Sequence, residues 1–185
     1  MISIPDQLIA AWSVSTPLAL VTTPDQPATL AGIADRFSRE TIQERTDTGK
    51  PQGPPRPVAI LQHDLARGLA ATNEAGAGVL RQIAPPPADP TFAQVGAKPG
   101  QNAVEALELF ERAPDRSLLF LLNAQYLLEN QPCVQALCNA RETNKQTGRL
   151  IVLLSNGCRL PAELASDVLP LEEELPTEAE LRGIV

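Results

Sequence analysis

SLLFLLN (residues 117–123) and RLIVLLSN (residues 149–156) are two uninterrupted apolar runs, joined by a segment of helical character that begins near Pro132. Each run is too short to cross a membrane, and each ends on small polar residues. Short apolar runs on either side of a helix are the pattern of strands buried on both faces of a parallel sheet. Ligands of open parallel sheets sit at the carboxyl ends of the strands. A site therefore belongs at Asn123, Gln125, Ser155 and Asn156, with Asn123, Ser155 and Asn156 as the candidate ligand-binding residues. No carboxylate, histidine or lysine stands at either strand end. The tips thus lack the side chains that usually move protons or neutralise phosphates.

Outward from this pair, helices and strands alternate. Residues 4–14 (IPDQLIAAWSV) put Leu8, Ile9 and Trp12 on one helical face, and LALVTT (18–23) reads as the first buried strand. A helix follows from about Pro27, carrying Leu30, Ile33, Ala34 and Phe37, with the proline in the first turn where its missing N–H costs nothing. PVAILQH (57–63) is the second strand. Residues 73–83 form a helix weakened by Gly76 and Gly78. Residues 102–112 form an amphipathic helix capped by Asn102, with Glu105 three residues on and Leu107 and Phe110 facing inward. The helix between the two runs spans residues 131–147, with Val134, Leu137 and Cys138 on its buried stripe and Gly148 as its C-cap.

After the second run come a helical turn at 161–166 and an edge-like strand at 168–171 with Pro170 inside it. Residues 47–57 and 84–101 are loops by composition, the second holding five prolines and two glycines. The expected fold is α/β: a three-layer, doubly wound, mainly parallel five-stranded sheet. Residues 1–174 are expected to be one domain. A further helix begins at Pro176, with Thr177 as its N-cap; the chain stops within it, so residues 175–185 are expected to lead as a hinge toward another module.

Composition narrows the function. The formal charge of −7 argues against a nucleic-acid surface, and residues 159–185 alone carry net −5. Cys133, Cys138 and Cys158 include no CxxC pair, and with one histidine they offer no zinc set, so they are expected as reduced thiols of a cytoplasmic protein. No leader-like or membrane-spanning segment is expected. The Cys133–Cys138 spacing does not place both thiols on one helical face. His63, Asp64 and Ser155 do not make a triad, because neighbouring residues on a strand face opposite ways; His63 is expected as a structural histidine with its hydrogen bonds satisfied.

A P-loop needs glycine-rich backbone, a lysine and a Ser/Thr directly after the first strand. That position here reads TTPDQP (22–27), without glycine or lysine and with two prolines. The one Gly-Lys pair, Gly49–Lys50, follows no strand. The acid that organises magnesium at the end of the central strand is replaced by Asn123. The elements are those of a RecA/P-loop-NTPase-like layer lacking Walker A and B residues.

These residues resemble the N-terminal region of the uncharacterised AAA ATPases of cyanobacteria, plastids, other bacteria and phages. The matching stretches are LALVTTPDQPATLAGIADRF, AILQHDLARGLAATNEAG and the run from SLLFLLN to PTEAEL. They include the Thr-Pro-acid segment at residues 23–25, the Leu-Pro-x-Glu-Leu turn at 160–164 and the Leu-Pro-x-x-x-Glu-Leu start at 175–181. Where the family commonly has Trp-Asp after its second strand, this chain has His63–Asp64. Loops 46–56 and 84–101 fall outside the resemblance. It implies a degenerate, non-catalytic domain ahead of an AAA+ module, used for protein interaction or for regulating assembly. ATP and magnesium would be bound by that module and not by this domain. The implied partners are the chain's own AAA+ module, further copies in a homo-hexamer and a client protein, with no membrane. The alternatives are a small α/β enzyme or nucleotide-binding protein using Asn123, Ser155 and Asn156, or a free-standing acidic adaptor.

Overall fold

The computed structural model describes residues 2–44, 50, 52–85 and 98–173. The interior of the 84–101 loop and the helix expected after Pro176 lie outside the described residues.

Leu18–Thr22 (β1), Leu118–Leu121 (β6) and Leu150–Ser155 (β7) are the hydrophobic centre of a six-stranded sheet. Both faces of these strands are covered, which is why they read as continuous apolar runs and not as alternating ones. Ile60–Asp64 (β4), Gly68–Ala71 (β5) and Val168–Glu172 (β8) complete the order β5-β4-β6-β7-β1-β8. All pairings are parallel except the β4–β5 hairpin, and the register aligns Leu18 with Ile151 and Leu118 with Leu150. Thr41–Ile42 (β2) and Arg56–Pro57 (β3) form a separate antiparallel pair.

Helices cover both faces. Ile4–Ser13 (α1) and Gln26–Ser38 (α2) pack Leu8, Trp12, Leu30, Ile33 and Phe37 on one side of the sheet. Glu74–Ile83 (α3), Ala103–Phe110 (α4), Ala124–Leu127 (α5) and Gln131–Thr147 (α6) cover the other. The expected three-layer, doubly wound, mainly parallel fold is the one observed. Caps written in the sequence set the helix starts: Asn102 accepts from Glu105 N–H (2.9 Å), Asn130 from Cys133 N–H (3.2 Å), and Gly148 ends α6 in the left-handed region.

The sheet has six strands and not the expected five. The additional one is β5, formed where Asp64 Oδ1 accepts from the N–H groups of Ala66 (2.7 Å) and Arg67 (3.1 Å) and Gly68 takes φ +71°. A three-residue loop closed by a left-handed glycine is a common hairpin geometry. The strand itself, GLAA, carries no hydrophobic alternation that would betray it. Leu69 N–H bonds outward to Pro99 O (2.9 Å), so a passing segment covers part of this edge. At the other edge Pro170 is exposed within β8, withholding a donor from any incoming strand. Two smaller corrections concern the second strand, which starts at Ile60 and not at Pro57, and Cys138, which is only half-buried while Cys133 is buried.

Asn73 fastens α3 to β4. Its Oδ1 accepts from Gly76 N–H (2.8 Å) and Ile60 N–H (3.1 Å), and its Nδ2 donates to Val58 O (2.8 Å). The first turn of α3 is thereby pressed against the strand, and a Cβ on Gly76 would lie 2.2 Å from Ile60 O. Gly78 has nothing within 4 Å of the same virtual atom. The two glycines of α3 should therefore respond oppositely to alanine. Gly76→Ala is expected to lower stability by about 1–3 kcal/mol through overpacking. Gly78→Ala is expected to raise it by about 0.5–1 kcal/mol through helix propensity. Urea denaturation of both variants measures this, and two shifts of the same sign would contradict the close approach.

Candidate functional site

At the carboxyl ends of β1, β6 and β7 the apolar core gives way to side-chain amides. Gln26, the first residue of α2, is nearly buried. Its Oε1 accepts from Asn123 N–H (2.9 Å), and its Nε2 donates to Asn156 Oδ1 (2.9 Å) and, at 3.5 Å, to Asn123 Oδ1. One neutral side chain thus ties the exit of β1 to the tips of β6 and β7. Asn123 sits in the left-handed region (φ 55°), which asparagine tolerates better than most residues and which sets its amide toward Gln26. Of the three candidates read from the sequence, Asn123 and Asn156 meet through Gln26. Ser155 is buried and turned elsewhere: it donates to Gln125 Oε1 and accepts from Gly157 N–H, both at 3.1 Å.

The N-terminus of α2 is disarmed as an anion site. Asp25 Oδ1 accepts the Ala28 N–H (3.1 Å), Asp25 O accepts the Thr29 N–H (3.0 Å), and Pro27 has no N–H to offer. Alongside, the buried Thr23 and Thr29 hydroxyls lie 2.7 Å apart, and both contact the Glu173 carboxylate, Thr29 at 2.7 Å. Glu173 N–H also bonds Thr22 O (2.9 Å), extending the β1–β8 register. An acid of the chain's own occupies the ground beside the β1 exit. Gln26 and Glu173 carry no local sequence signal of these roles, although Gln26 lies within TTPDQP.

Next to the Gln26 bridge opens a cleft of about 460 Å³. Pro24, Pro27 and Leu30 wall one side, and Gln62, Asp64 and Arg67 of the β4–β5 hairpin wall the other. A cleft of about 540 Å³ lies at the opposite, amino-terminal edge of the sheet, near Arg116 and Gly148. There the Arg116 guanidinium stacks 4.0 Å over the Trp12 ring, at the carboxyl ends of α1 and α6, where a cation is already favourably placed. The strand-tip cleft is the candidate site, since the polar side chains of three strand ends converge on it.

His63 is fully buried, but the expectation of a satisfied structural histidine is corrected: neither ring nitrogen has a hydrogen-bond partner among the described residues. Burial lowers its pKa, opposed by the Gln101 backbone and the Asp64 charge, so the ring is held neutral. Of these two opposing influences the Gln101 contact falls short of normal hydrogen-bond geometry, and desolvation dominates. Burial also pushes the Cys133 thiol up to about 11, away from nucleophile chemistry. Among the described residues no cluster of His, Cys, Asp and Glu could hold a metal ion, and no helix is long and apolar enough to cross a membrane.

A family model described as "SpoVK-like AAA ATPase, N-terminal domain" matches residues 5–172. No curated protein sequence matches the chain. Among solved structures the chain is similar to one in "Structure of Drosophila ORC bound to DNA", at 12% identity and a TM-score of 0.45, with 96% of this chain and 93% of that one covered.

Two outcomes follow from the geometry. Gln26→Ala should cost about 1–2 kcal/mol in urea denaturation, because Asn123 N–H and Asn156 Oδ1 lose their shared partner; an unchanged midpoint would mean that solvent replaces the bridge at no cost. His63, with its folded pKa below the unfolded value of about 6.5, takes up its proton first in the unfolded chain as pH falls. Stability should therefore decline as pH drops from about 6.5 toward the lowered pKa, and His63→Leu should flatten the profile in that window.

Proposed function

Because the chain belongs to the family of SpoVK-like AAA ATPase N-terminal domains, we propose that it is a non-catalytic domain that recognises protein partners or regulates assembly of the ATPase, with ATP and magnesium handled by a AAA+ module. The observation that carries this reading is the Gln26 bridge. Where a nucleotidase would place glycine amides, a lysine and a magnesium-binding acid, this chain places neutral side-chain amides, with Gln26 joining Asn123 and Asn156. The neighbouring helix start is occupied by its own Asp25 and blocked by Pro27. A triphosphate at that helix start would meet no cluster of free backbone N–H groups and no lysine, and the Asp25 and Glu173 carboxylates would repel it.

The enzyme alternative gains nothing from these contacts, because Ser155 is engaged with Gln125 and Gly157 and bonds no basic side chain among the described residues. The degenerate strand tips keep the shape of a nucleotide-binding sheet while the groups that would bind the nucleotide are gone. Three free cysteines suit a cytoplasmic setting, and the net charge of −7 suits protein and not nucleic-acid partners. In the full assembly the domain would sit on each subunit of a homo-hexamer, contacting its own AAA+ module and a client.

Isothermal titration of the 185-residue chain with Mg-ATP tests the reading. No heat of binding is expected at micromolar nucleotide. Saturable binding that weakens on Asn123→Ala or Asn156→Ala would overturn it.

A further inference from the structure

We propose that the strand-tip cleft binds a short acidic peptide segment of a partner protein, held through its main-chain amides by Gln62, Asn123 and Asn156 and through a carboxylate by Arg67. The inference rests on the interaction-domain reading above and names the partner chemistry of that site.

Hydrogen-bonding capacity left over at the cleft comes first. The Gln26 bridge uses the Oδ1 atoms of Asn123 and Asn156, and the Nδ2 groups of both are without partners among the described residues. Gln62, half-buried on the wall, has no side-chain hydrogen bond among the described residues. Primary amides present a donor and an acceptor in one plane, the complement of a peptide group. Neutral donors of this kind do little for a polyphosphate, which needs cations and clustered backbone N–H groups.

Charge comes second. Asp64 is committed to the turn, accepting from Ala66 and Arg67 N–H. The Arg67 side chain is exposed at the cleft and has no carboxylate partner among the described residues. An open guanidinium beside neutral amides selects a ligand that brings its own carboxylate.

The apolar part completes the description. Pro24, Pro27, Leu30 and Leu122 offer a surface for one aliphatic side chain. Among the described residues no aromatic ring lines the cleft, so they offer a nucleobase no stacking platform. The volume of about 460 Å³ lies within the ordinary range of ligand sites.

The test is a ¹⁵N–¹H NMR titration of the 185-residue chain with acetyl-Ala-Leu-Glu-Ala-amide, its Gln-for-Glu counterpart and adenosine. The side-chain NH₂ signals of Gln62, Asn123 and Asn156 report directly on the cleft. The acidic peptide should shift them saturably at millimolar concentration, the Gln peptide binding about threefold to tenfold more weakly. Gln62→Leu, which breaks no hydrogen bond among the described residues, should weaken the acidic peptide by a similar factor. Arg67→Glu should remove the preference for it. Silence of the three side chains toward both peptides, equal affinity for the two peptides, or stronger shifts with adenosine would each overturn the proposal. A silent peptide titration leaves the ATP result untouched, whereas Mg-ATP binding would sink the underlying reading whatever the peptides do.

Discussion

The central strands of this sheet have no solvent-facing side. Leu118 to Leu121, Leu150 to Leu154 and Leu18 to Val21 are essentially inaccessible, and the backbone N–H and C=O groups between them can be satisfied only by neighbouring strands. That requirement holds β1, β6 and β7 in one register and leaves polar side chains a place only at the strand ends. Each buried leucine or isoleucine contributes about 1.5–3 kcal/mol relative to exposure, so the ladder and its apolar cover reinforce each other. The two edges of the sheet are guarded by different means: Pro99 lies against part of β5, and Pro170 removes a donor from β8.

The two ends of the sheet carry different chemistry. At the amino-terminal edge, Trp12 Nε1–H donates to Arg116 O (3.2 Å) and Arg116 N–H donates to Thr147 O (2.9 Å). These bonds keep Arg116 in the left-handed region at φ 60°, at a cost of roughly 1–2 kcal/mol. Gly148 leaves room for the arginine stem, since a Cβ there would stand 3.2 Å from Arg116 Cγ. Packing, hydrogen bonds and a cation–π contact therefore join the elements at this end. The carboxyl-terminal edge is instead joined by amides and hydroxyls, with hydrogen-bonding capacity left over.

Neutral amides can join strand tips without a bound anion. A phosphate site keeps several N–H donors together and unpaired until ligand arrives, and paired amides remove that cost when no ligand comes. Gln26 satisfies two strand tips without introducing a charge that would need a counter-ion. Glu173, a charged group drawn in beside them, is held by two buried hydroxyls. Its backbone bond to Thr22 also sets where the chain leaves the sheet.

The sequence by itself determined the layered α/β fold, the caps at Asn102 and Gly148, and the lack of glycine and lysine in TTPDQP. Those are local properties: apolar runs, capping residues and the covalent chemistry of proline and glycine. It also placed Asn123 and Asn156 at the strand tips. Tertiary structure alone decided that Gln26 joins them, across 97 and 130 residues, and that Glu173 reaches Thr23 across 150. Periodicity and composition carry no information about which amide meets which at such separations. β5 escaped notice because GLAA pairs through its backbone after a turn set by Asp64 and Gly68, leaving no side-chain pattern to read. Gly76 looked like a weak helix residue, and only the approach of Ile60 O shows why a side chain has no room there. The physical reason is the same in each case: local pattern specifies elements, and the contacts between elements exist only once the chain has packed.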